Sequence, residues 1–531
     1  MYADLWQGNT SRLDQPALRC GDQVWTFGRF FDQILRAEAG LRALGVQPGE
    51  FVTILSVNTP ETIAAFYAID RIGAVANWVD MKLSPKEVEG YLTRARGKVV
   101  LALEVTFRKV YENRGNSPAR YFVSLPLAPY VPQKLGEKLR LGSWEKSRGE
   151  GCLSWEEFLR EPDDTEPDST RWLEPAVITY TGGTTGPAKG VMLSRHAFRR
   201  SLEQYTNSGT EHGTGANLTL LPPFAAFGLC QTIHVPLCLG MEVILAPMFR
   251  PDQLGEFLLR YRPAQVSGTT SYWQLLLSDP LVQEADLSFL KNPRSGGDAM
   301  TAEMEKRINQ FLMDHGCSAQ IIKEYGMSEV CGIVCVSQNG RDKIGSVGRP
   351  LEGCDIIAVD PENGVLLPPG KRGELLIHST TVMIGYNGMS EADAQVLKPG
   401  PDGRLWIWTK DIGHVDADGE VFVTGRTKRM ISRNGFKIFP NVIEDCLLTS
   451  PLVEAVAVVA GQSPGGETLP AAHVVARGEV GEETARVLRD LCKRELNSFL
   501  VPAEFFFRES LPLTERGKLD YRTLELETHL N

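Results

Sequence analysis

No stretch of this chain is basic enough to hold a polyanion by charge alone. Lys and Arg number 56 against 66 Asp and Glu, a net charge of −10 at pH 7, so nucleic acid is not an expected partner. Long apolar runs are missing too. The most apolar stretch, Val235 to Phe249, is broken by Pro236, Glu242 and Pro247, and no membrane span is expected from it. Paired cysteines at metal-ligand spacing are absent. The ten cysteines are scattered, and the closest two, Cys331 and Cys335, have no second pair or nearby histidines to complete a zinc site. Reduced thiols of a cytosolic protein are the expectation. The start, Met1-Tyr2-Ala3-Asp4-Leu5, has no basic region followed by an apolar core, so no signal peptide is expected and a cytoplasmic location is. There is no internal repeat and no low-complexity segment.

What is present is globular: 531 residues, 42% hydrophobic and 23% charged, enough for two or more domains. Trp25-Thr26-Phe27 precedes an amphipathic segment, Phe30 to Leu44, that reads as a helix ended by Gly45. Phe51 to Val57 and Lys98 to Leu103 read as buried strands, with a helix from Glu61 to Ile72 between them. This alternation predicts a βαβ organisation with a parallel sheet. From Arg114 to Asp168 the pattern weakens and charges cluster, which reads as solvated surface with some helix around Trp155 to Leu159. Leu193 to Tyr205 reads as a helix; Met241 to Ala246, Ala264 to Gly268 and Ile321 to Glu324 read as strands. Character changes near Gly425-Arg426-Thr427-Lys428-Arg429. Beyond it, strand patterns (Val453 to Val459, Ala471 to Ala476) and helix patterns (Asn441 to Leu448, Glu482 to Leu496) suffice for a small α+β domain.

The most informative stretch is Thr179-Tyr180-Thr181-Gly182-Gly183-Thr184-Thr185-Gly186-Pro187-Ala188-Lys189-Gly190, which follows the apolar run Ala176-Val177-Ile178. Glycines let the backbone turn sharply and approach a ligand. The threonines add hydroxyl donors and Lys189 a mobile cation, a combination suited to polyphosphate oxygens. It is not a Walker A loop, in which Gly-Lys-Ser/Thr follow in succession. Here Lys189 stands three residues beyond Gly186, with Pro187 between.

With this loop, the segments Tyr325–Glu329, Thr409–Asp411, Gly425–Pro440 and Pro512–Asp520 occur in an order that resembles the adenylate-forming superfamily: acyl-CoA synthetases, peptide-synthetase adenylation domains and beetle luciferases. The resemblance runs from Trp25 to Lys518. It implies activation of a carboxylic acid by ATP and Mg²⁺ through an acyl-adenylate. It further implies that Thr181, Gly182, Gly183, Thr184, Thr185 and Lys189 hold the β- and γ-phosphates, that Glu329 is a hard oxygen ligand for Mg²⁺, and that Ser328 contacts the α-phosphate where the family more often has Thr. Gly297-Asp298-Ala299 and Glu324-Tyr325-Gly326 match segments around the adenine, Asp411 the ribose ligand, and Arg426 a support for ribose or phosphate. Lys518 matches the lysine that bridges the acid's carboxylate and the α-phosphate, and Lys428 the hinge on which the small domain swings. The acyl pocket is expected to draw on Phe224, Phe227, Ser267 to Trp273 (with Thr270 and Trp273) and Gly296-Gly297, so the acid's tail is expected to be apolar, fatty or aryl.

The chain departs from the family pattern at three places. Glycine often precedes the ribose aspartate; here it is Lys410, where glycine would permit an unusual backbone angle. Ala225 replaces the polar residue often found after the phenylalanine of the substrate segment, which argues against an amino-acid substrate. Ser432-Arg433-Asn434-Gly435 replaces the Lys-x-Lys-Gly of plant coumarate ligases. Gly435 keeps room for a pantetheine arm and Arg433 or Lys437 stands in for a lost lysine, or the acceptor is a carrier protein in place of free CoA.

The expected fold class is therefore α/β: a large N-terminal domain of several subdomains with mixed and parallel sheets, residues 1–425, and a small mobile α+β domain, 426–531. The expected activity is acid–CoA ligation releasing AMP and pyrophosphate. The alternative is a stand-alone adenylating enzyme that loads a carrier protein's phosphopantetheine.

Overall fold

The computed structural model describes the chain apart from residues 82, 164, 169, 182–188, 210–214, 339, 427, 428, 430, 434, 435, 464–466, 479, 515, 516 and 531; of 146, 147, 432, 433, 436 and 437 only the backbone is described.

The helix Pro60–Ile72 shows how the large lobe is built. Thr59 caps it by accepting from the Thr62 N–H, Pro60 opens it with a preset φ, and Gly73 closes it at φ +81°. Every one of its residues is buried, as expected of a helix packed on all sides. Its charged residues survive there by pairing: Asp70 accepts from Arg195 Nε at 2.6 Å, Arg71 donates to Glu38, and Glu61 accepts from the Tyr130 hydroxyl at 2.6 Å.

That helix packs between strands of an eight-stranded sheet and its neighbours. The sheet runs in the order 385–386, 190–194, 175–180, 75–78, 51–55, 99–103, 121–125, 152–154. From 175–180 outward to 152–154 the pairings are parallel, the βαβ pattern anticipated above. A nine-stranded sheet follows the order 349–350, 335–336, 322–325, 292–296, 265–268, 217–219, 243–245, 16–20, 23–26, parallel from 322–325 to 16–20. A five-stranded antiparallel sheet, built on Cys354–Val359, Gly373–Ser379 and Leu405–Val415, ends with Val421–Arg426. The smaller lobe then holds the hairpin Ile431–Arg433/Phe436–Ile438, a three-stranded sheet (Val453–Gln462, Thr468–Ala476, Glu504–Phe507) and the helices Pro440–Leu448, Glu482–Glu495 and Tyr521–Glu527.

Four expectations need correction. The first long helix starts at Phe27, three residues earlier than its apolar periodicity implied, because the Thr26 side chain caps it. Gly190–Ser194 is a strand antiparallel to Pro175–Tyr180, and the following helix, Arg195–Thr206, begins only after the cap at Ser194. Within the segment read as solvated surface, Tyr121–Leu125 is a largely buried strand and Cys152–Ser154 another. Arg426 is still paired with Asp411 across the antiparallel sheet, so the boundary expected at 425/426 falls on the last pair of a large-lobe strand.

The lobes are docked. Arg307 of the helix Ala302–Asp314 donates to the carbonyls of Leu448, Ser450 and, at 2.8 Å, Val453. Arg429, at the start of the small lobe, pairs with Glu444 at 2.6 Å and lies over the Tyr521 ring. All ten cysteines are free thiols and all are buried. Among the described residues, no helix is long and apolar enough to cross a membrane.

Candidate functional site

The cleft between the lobes collects most of the expected residues that are described. Pro175–Tyr180 ends at Thr181, whose N–H donates to the Lys189 carbonyl at 2.9 Å, while the Lys189 N–H donates to Thr181 Oγ1. The two ends of the glycine-rich loop are thus pinned together. Gly182, Gly183, Thr184 and Thr185 lie outside the described residues. The Lys189 ammonium sits 4.8 Å from the Tyr386 ring centre, and the Tyr386 hydroxyl donates to Glu329 Oε1 at 2.7 Å. Burial raises the Glu329 carboxyl's pKa above its ordinary value, with Tyr386, Arg426 and Lys189 pulling the other way. A buried carboxylate flanked by cations and a phenol can hold a hard divalent cation, whose charge would offset the desolvation. Tyr386 escaped the sequence reading because nothing in its spacing set it apart; it reaches the site only because Gly385–Tyr386 pairs with Gly190–Ser194.

A second group stands beside this one. Asp411 Oδ2 accepts from the Tyr325 hydroxyl at 2.8 Å, and Oδ1 accepts from Arg426 Nε at 2.6 Å. Asp411 itself is buried, and its two oxygens retain further lone pairs for a ligand's hydroxyls. Leu375 opposes a bulge, Thr409 to Asp411, in the antiparallel sheet. Lys410 sits in that bulge at φ +62°, the left-handed conformation that glycine adopts without strain. The backbone angle that the family's glycine would supply is kept here by a lysine.

The third group comes from the small lobe. The Gly517 carbonyl accepts from Thr269 Oγ1 at 3.0 Å, and Gly517, at φ +71°, packs so closely that an added Cβ would lie 2.2 Å from the Tyr272 ring. This seats Lys518 in the cleft: a Cβ built on Gly297 would be 3.7 Å from both Lys518 Cε and Nζ, and 3.8 Å from Phe227. Asp298 accepts from the Ala299 N–H and from Ser271. Ser328 opens the short 3-10 turn that presents Glu329.

Two expected residues sit differently. The Glu324 carboxylate is taken up in a buried ion pair. Its side chain is 1% exposed and accepts from Arg294 Nη1 at 2.8 Å, in a pair whose arginine side chain is 0% exposed. Trp273 is buried in the hydrophobic core, its indole N–H donating to the Arg294 carbonyl at 2.8 Å, so it backs the wall behind the expected pocket. Phe224 and Thr270 are buried and Phe227 half-buried. Arg294 Nε and Nη2 and Glu324 Oε2 have no hydrogen-bond partner among the described residues. Each buried polar group left so is destabilising by about 1–3 kcal/mol. Arg433 is described by backbone alone, paired with Phe436, and Lys428 and Gly435 lie outside the described residues.

The comparison with known families is decisive at the level of kinship. Residues 5–387 match the model of the AMP-binding enzyme and residues 442–518 that of the AMP-binding enzyme C-terminal domain. The chain belongs to the AMP-binding enzyme family. The C-terminal match ends on Lys518. Among relatives of this AMP-binding enzyme, the long-chain-fatty-acid–CoA ligase of Bacillus subtilis is 28% identical over 97% of this chain and 92% of its own length. The feruloyl-CoA synthase of Amycolatopsis sp is 29% identical over 95% and 94%. Among solved structures, an anthranilate CoA ligase in complex with anthranoyl-AMP superposes with a TM-score of 0.84 at 22% identity, covering 98% of this chain and 96% of that one. The benzoate CoA ligase of Burkholderia xenovorans LB400 gives 0.83 at 22%, over 98% and 99%. At that identity the superpositions establish the fold of the AMP-binding enzyme.

Proposed function

We propose that this AMP-binding enzyme activates a carboxylic acid, fatty or aryl, with ATP to an acyl-adenylate and passes the acyl group to the thiol of coenzyme A, releasing AMP and pyrophosphate. The observation that carries the reading is the position of Lys518. Its ammonium lies over Gly297, close to Phe227, a residue expected in the acyl pocket. Two anions must meet for the carboxylate to attack the α-phosphorus. A cation fixed at the meeting point stabilises charge that grows in the transition state.

The remaining residues take roles that fit their surroundings. Lys189, with the glycine-rich loop, binds the outer phosphates. Glu329 fits a Mg²⁺ ligand, and that ion would neutralise phosphate charge; Ser328 offers a hydroxyl to the α-phosphate. Asp411, oriented by Tyr325 and Arg426, accepts from the ribose hydroxyls, as a carboxylate does in dinucleotide sites. Tyr325 and Gly297-Asp298-Ala299 flank the adenine. The small domain, beyond the strand that ends at Arg426, then turns about Lys428, withdraws Lys518 and opens a path for pantetheine past Arg433 and Gly435. The relatives named above are CoA ligases and a CoA synthase by name, which favours CoA over a carrier protein as acceptor.

The test is acid-dependent pyrophosphate exchange across a panel of acids, followed by thioester formation with CoA or a carrier protein. Lys518→Ala should lower exchange on the order of 100- to 1,000-fold while the circular dichroism and thermal midpoint stay unchanged, since the side chain is exposed. Wild-type exchange in that variant would end the assignment. Thioester on a carrier protein alone would replace CoA as the acceptor.

A further inference from the structure

Tyr386 touches both a cation and a carboxylate of the site. The Lys189 ammonium lies 4.8 Å from the centre of its ring, and its hydroxyl donates to Glu329 Oε1 at 2.7 Å. Among the described residues, Lys189 reaches Glu329 only as a charge at a distance, with no hydrogen bond between the two. The backbone around Tyr386 is fastened on both sides. Tyr386 is the register partner of Val191 across the strands Gly385–Tyr386 and Gly190–Ser194, and the Asn387 N–H donates to the Gly190 carbonyl at 2.7 Å. The Met383 N–H donates to the Glu329 carbonyl at 2.7 Å. Asp393 Oδ1 holds the Tyr386 N–H at 2.6 Å. The segment 383–387 thus bridges the chain just after Lys189 and the chain at Glu329.

An ammonium and a carboxylate in a cleft attract strongly, because burial lowers the local dielectric. Glu329 is 6% exposed and Tyr386 3%. A direct Lys189–Glu329 pair would satisfy both charges and defeat both tasks. The outer phosphates would find their cation taken, and a divalent cation its carboxylate. Each ligand would then bind only those molecules in which the pair is open, and its affinity would fall by that fraction. A phenol prevents this in two ways. Its ring face offers the ammonium a cation–π contact that a phosphate can displace. Its hydroxyl orients the carboxylate by one hydrogen bond and leaves the other lone pairs of the two oxygens for a metal. Phenylalanine could do only the first, and an aliphatic residue neither.

We propose that Tyr386 is a positioning residue that keeps Lys189 and Glu329 from neutralising one another, so that the outer phosphates and the divalent cation each meet an intact charge. The inference rests on the acid-ligase reading, in which these two groups bind the nucleotide and its metal. Tyr386 acts through them and takes no part in making or breaking bonds.

The experiment measures two affinities in Y386F, Y386L, E329Q and Y386L/E329Q. One is for N-methylanthraniloyl-ATP in EDTA, read by fluorescence. The other is for Mn²⁺ on the enzyme–ATP complex, read by electron paramagnetic resonance. Y386F keeps the ring and loses the hydroxyl. Its metal-free nucleotide affinity should stay within about twofold of wild type. Its Mn²⁺ affinity should fall on the order of tenfold, as when the hydrogen-bonded support of a metal ligand is removed. Y386L lets the two charges pair, and both affinities should fall about tenfold or more. E329Q takes the carboxylate away, so Y386L/E329Q should bind the metal-free nucleotide within about twofold of E329Q alone. A tyrosine that only fills space would leave Y386L and Y386L/E329Q equally weak, and that result overturns the proposal. An unchanged Mn²⁺ affinity in Y386F overturns it too, and decides by itself if Y386L does not fold. In either case wild-type nucleotide binding leaves the ligase reading standing. A wild type that binds no nucleotide, with or without Mg²⁺, overturns both.

Discussion

At the scale of single residues, burial sets the chemistry. Glu61 lies inside the fully buried helix Pro60–Ile72, with the Tyr130 hydroxyl donating to its Oε1. Desolvation pushes its pKa up from 4.5 to about 7. The folded state therefore keeps a proton that the unfolded chain has lost between pH 4.5 and about 7, and stability falls as pH rises through that window. A shift of this size is worth roughly 3 kcal/mol. Glu61→Gln keeps an acceptor for Tyr130 and removes the titration. The thermal midpoint of the variant should exceed that of the wild type on the alkaline side of the window and change much less with pH. An unchanged pH profile would show that Glu61 does not titrate there. His234, fully buried beside Tyr67 at 2.9 Å, is pushed the other way, down to about 3, and stays neutral across the same window.

At the scale of elements, the seating of the loop that bears Lys518 depends on one glycine. Gly517→Ala places a methyl where the Tyr272 ring now is, at a φ of +71° that alanine resists. Misplacing a catalytic group by about an ångström costs on the order of 100-fold, so pyrophosphate exchange should fall by about that factor. Thioester formation from a supplied acyl-adenylate, which does not use the seated loop, should persist; equal loss of both would assign Gly517 to folding. Elements whose sequence carried its own signal were legible in advance: the apolar runs of Phe51–Leu55, Val99–Leu103 and Val453–Gln462, and the helix opened by Pro60 and closed by Gly73. Elements defined by a distant partner were not. Gly190–Ser194 is a strand because Pro175–Tyr180 returns beside it, and Tyr121–Leu125 is buried because Val99–Leu103 lines up with it, although charges surround it in sequence. The site divides in the same way. Lys518, Glu329, Asp411 and Lys189 stood in recognisable segments, and Lys410 was flagged as a departure at the position where a left-handed angle is found. Tyr386, and Arg294 opposite Glu324, become meaningful only when strands far apart in the chain lie side by side.

At the scale of the whole molecule, the docked arrangement serves one half of the proposed reaction. Arg307 ties the helix Ala302–Asp314 to the small lobe, Thr269 holds Gly517, and Lys518 occupies the cleft. The second half requires these contacts to break. Lys428→Pro, which fixes φ at the proposed hinge, should leave acid-dependent pyrophosphate exchange within about twofold and abolish thioester formation; parallel loss of both half-reactions would place the pivot elsewhere. The distribution of sulfur has a practical corollary for following such motions. Ten thiols are shielded in the folded chain, and two of them, Cys446 and Cys492, belong to the small lobe's helices Pro440–Leu448 and Glu482–Glu495. A maleimide added under native conditions therefore tags only molecules that have opened, and peptide mapping of the tagged fraction tells which lobe gave way first. The protein carries its own reporter of local unfolding, with no label engineered into it.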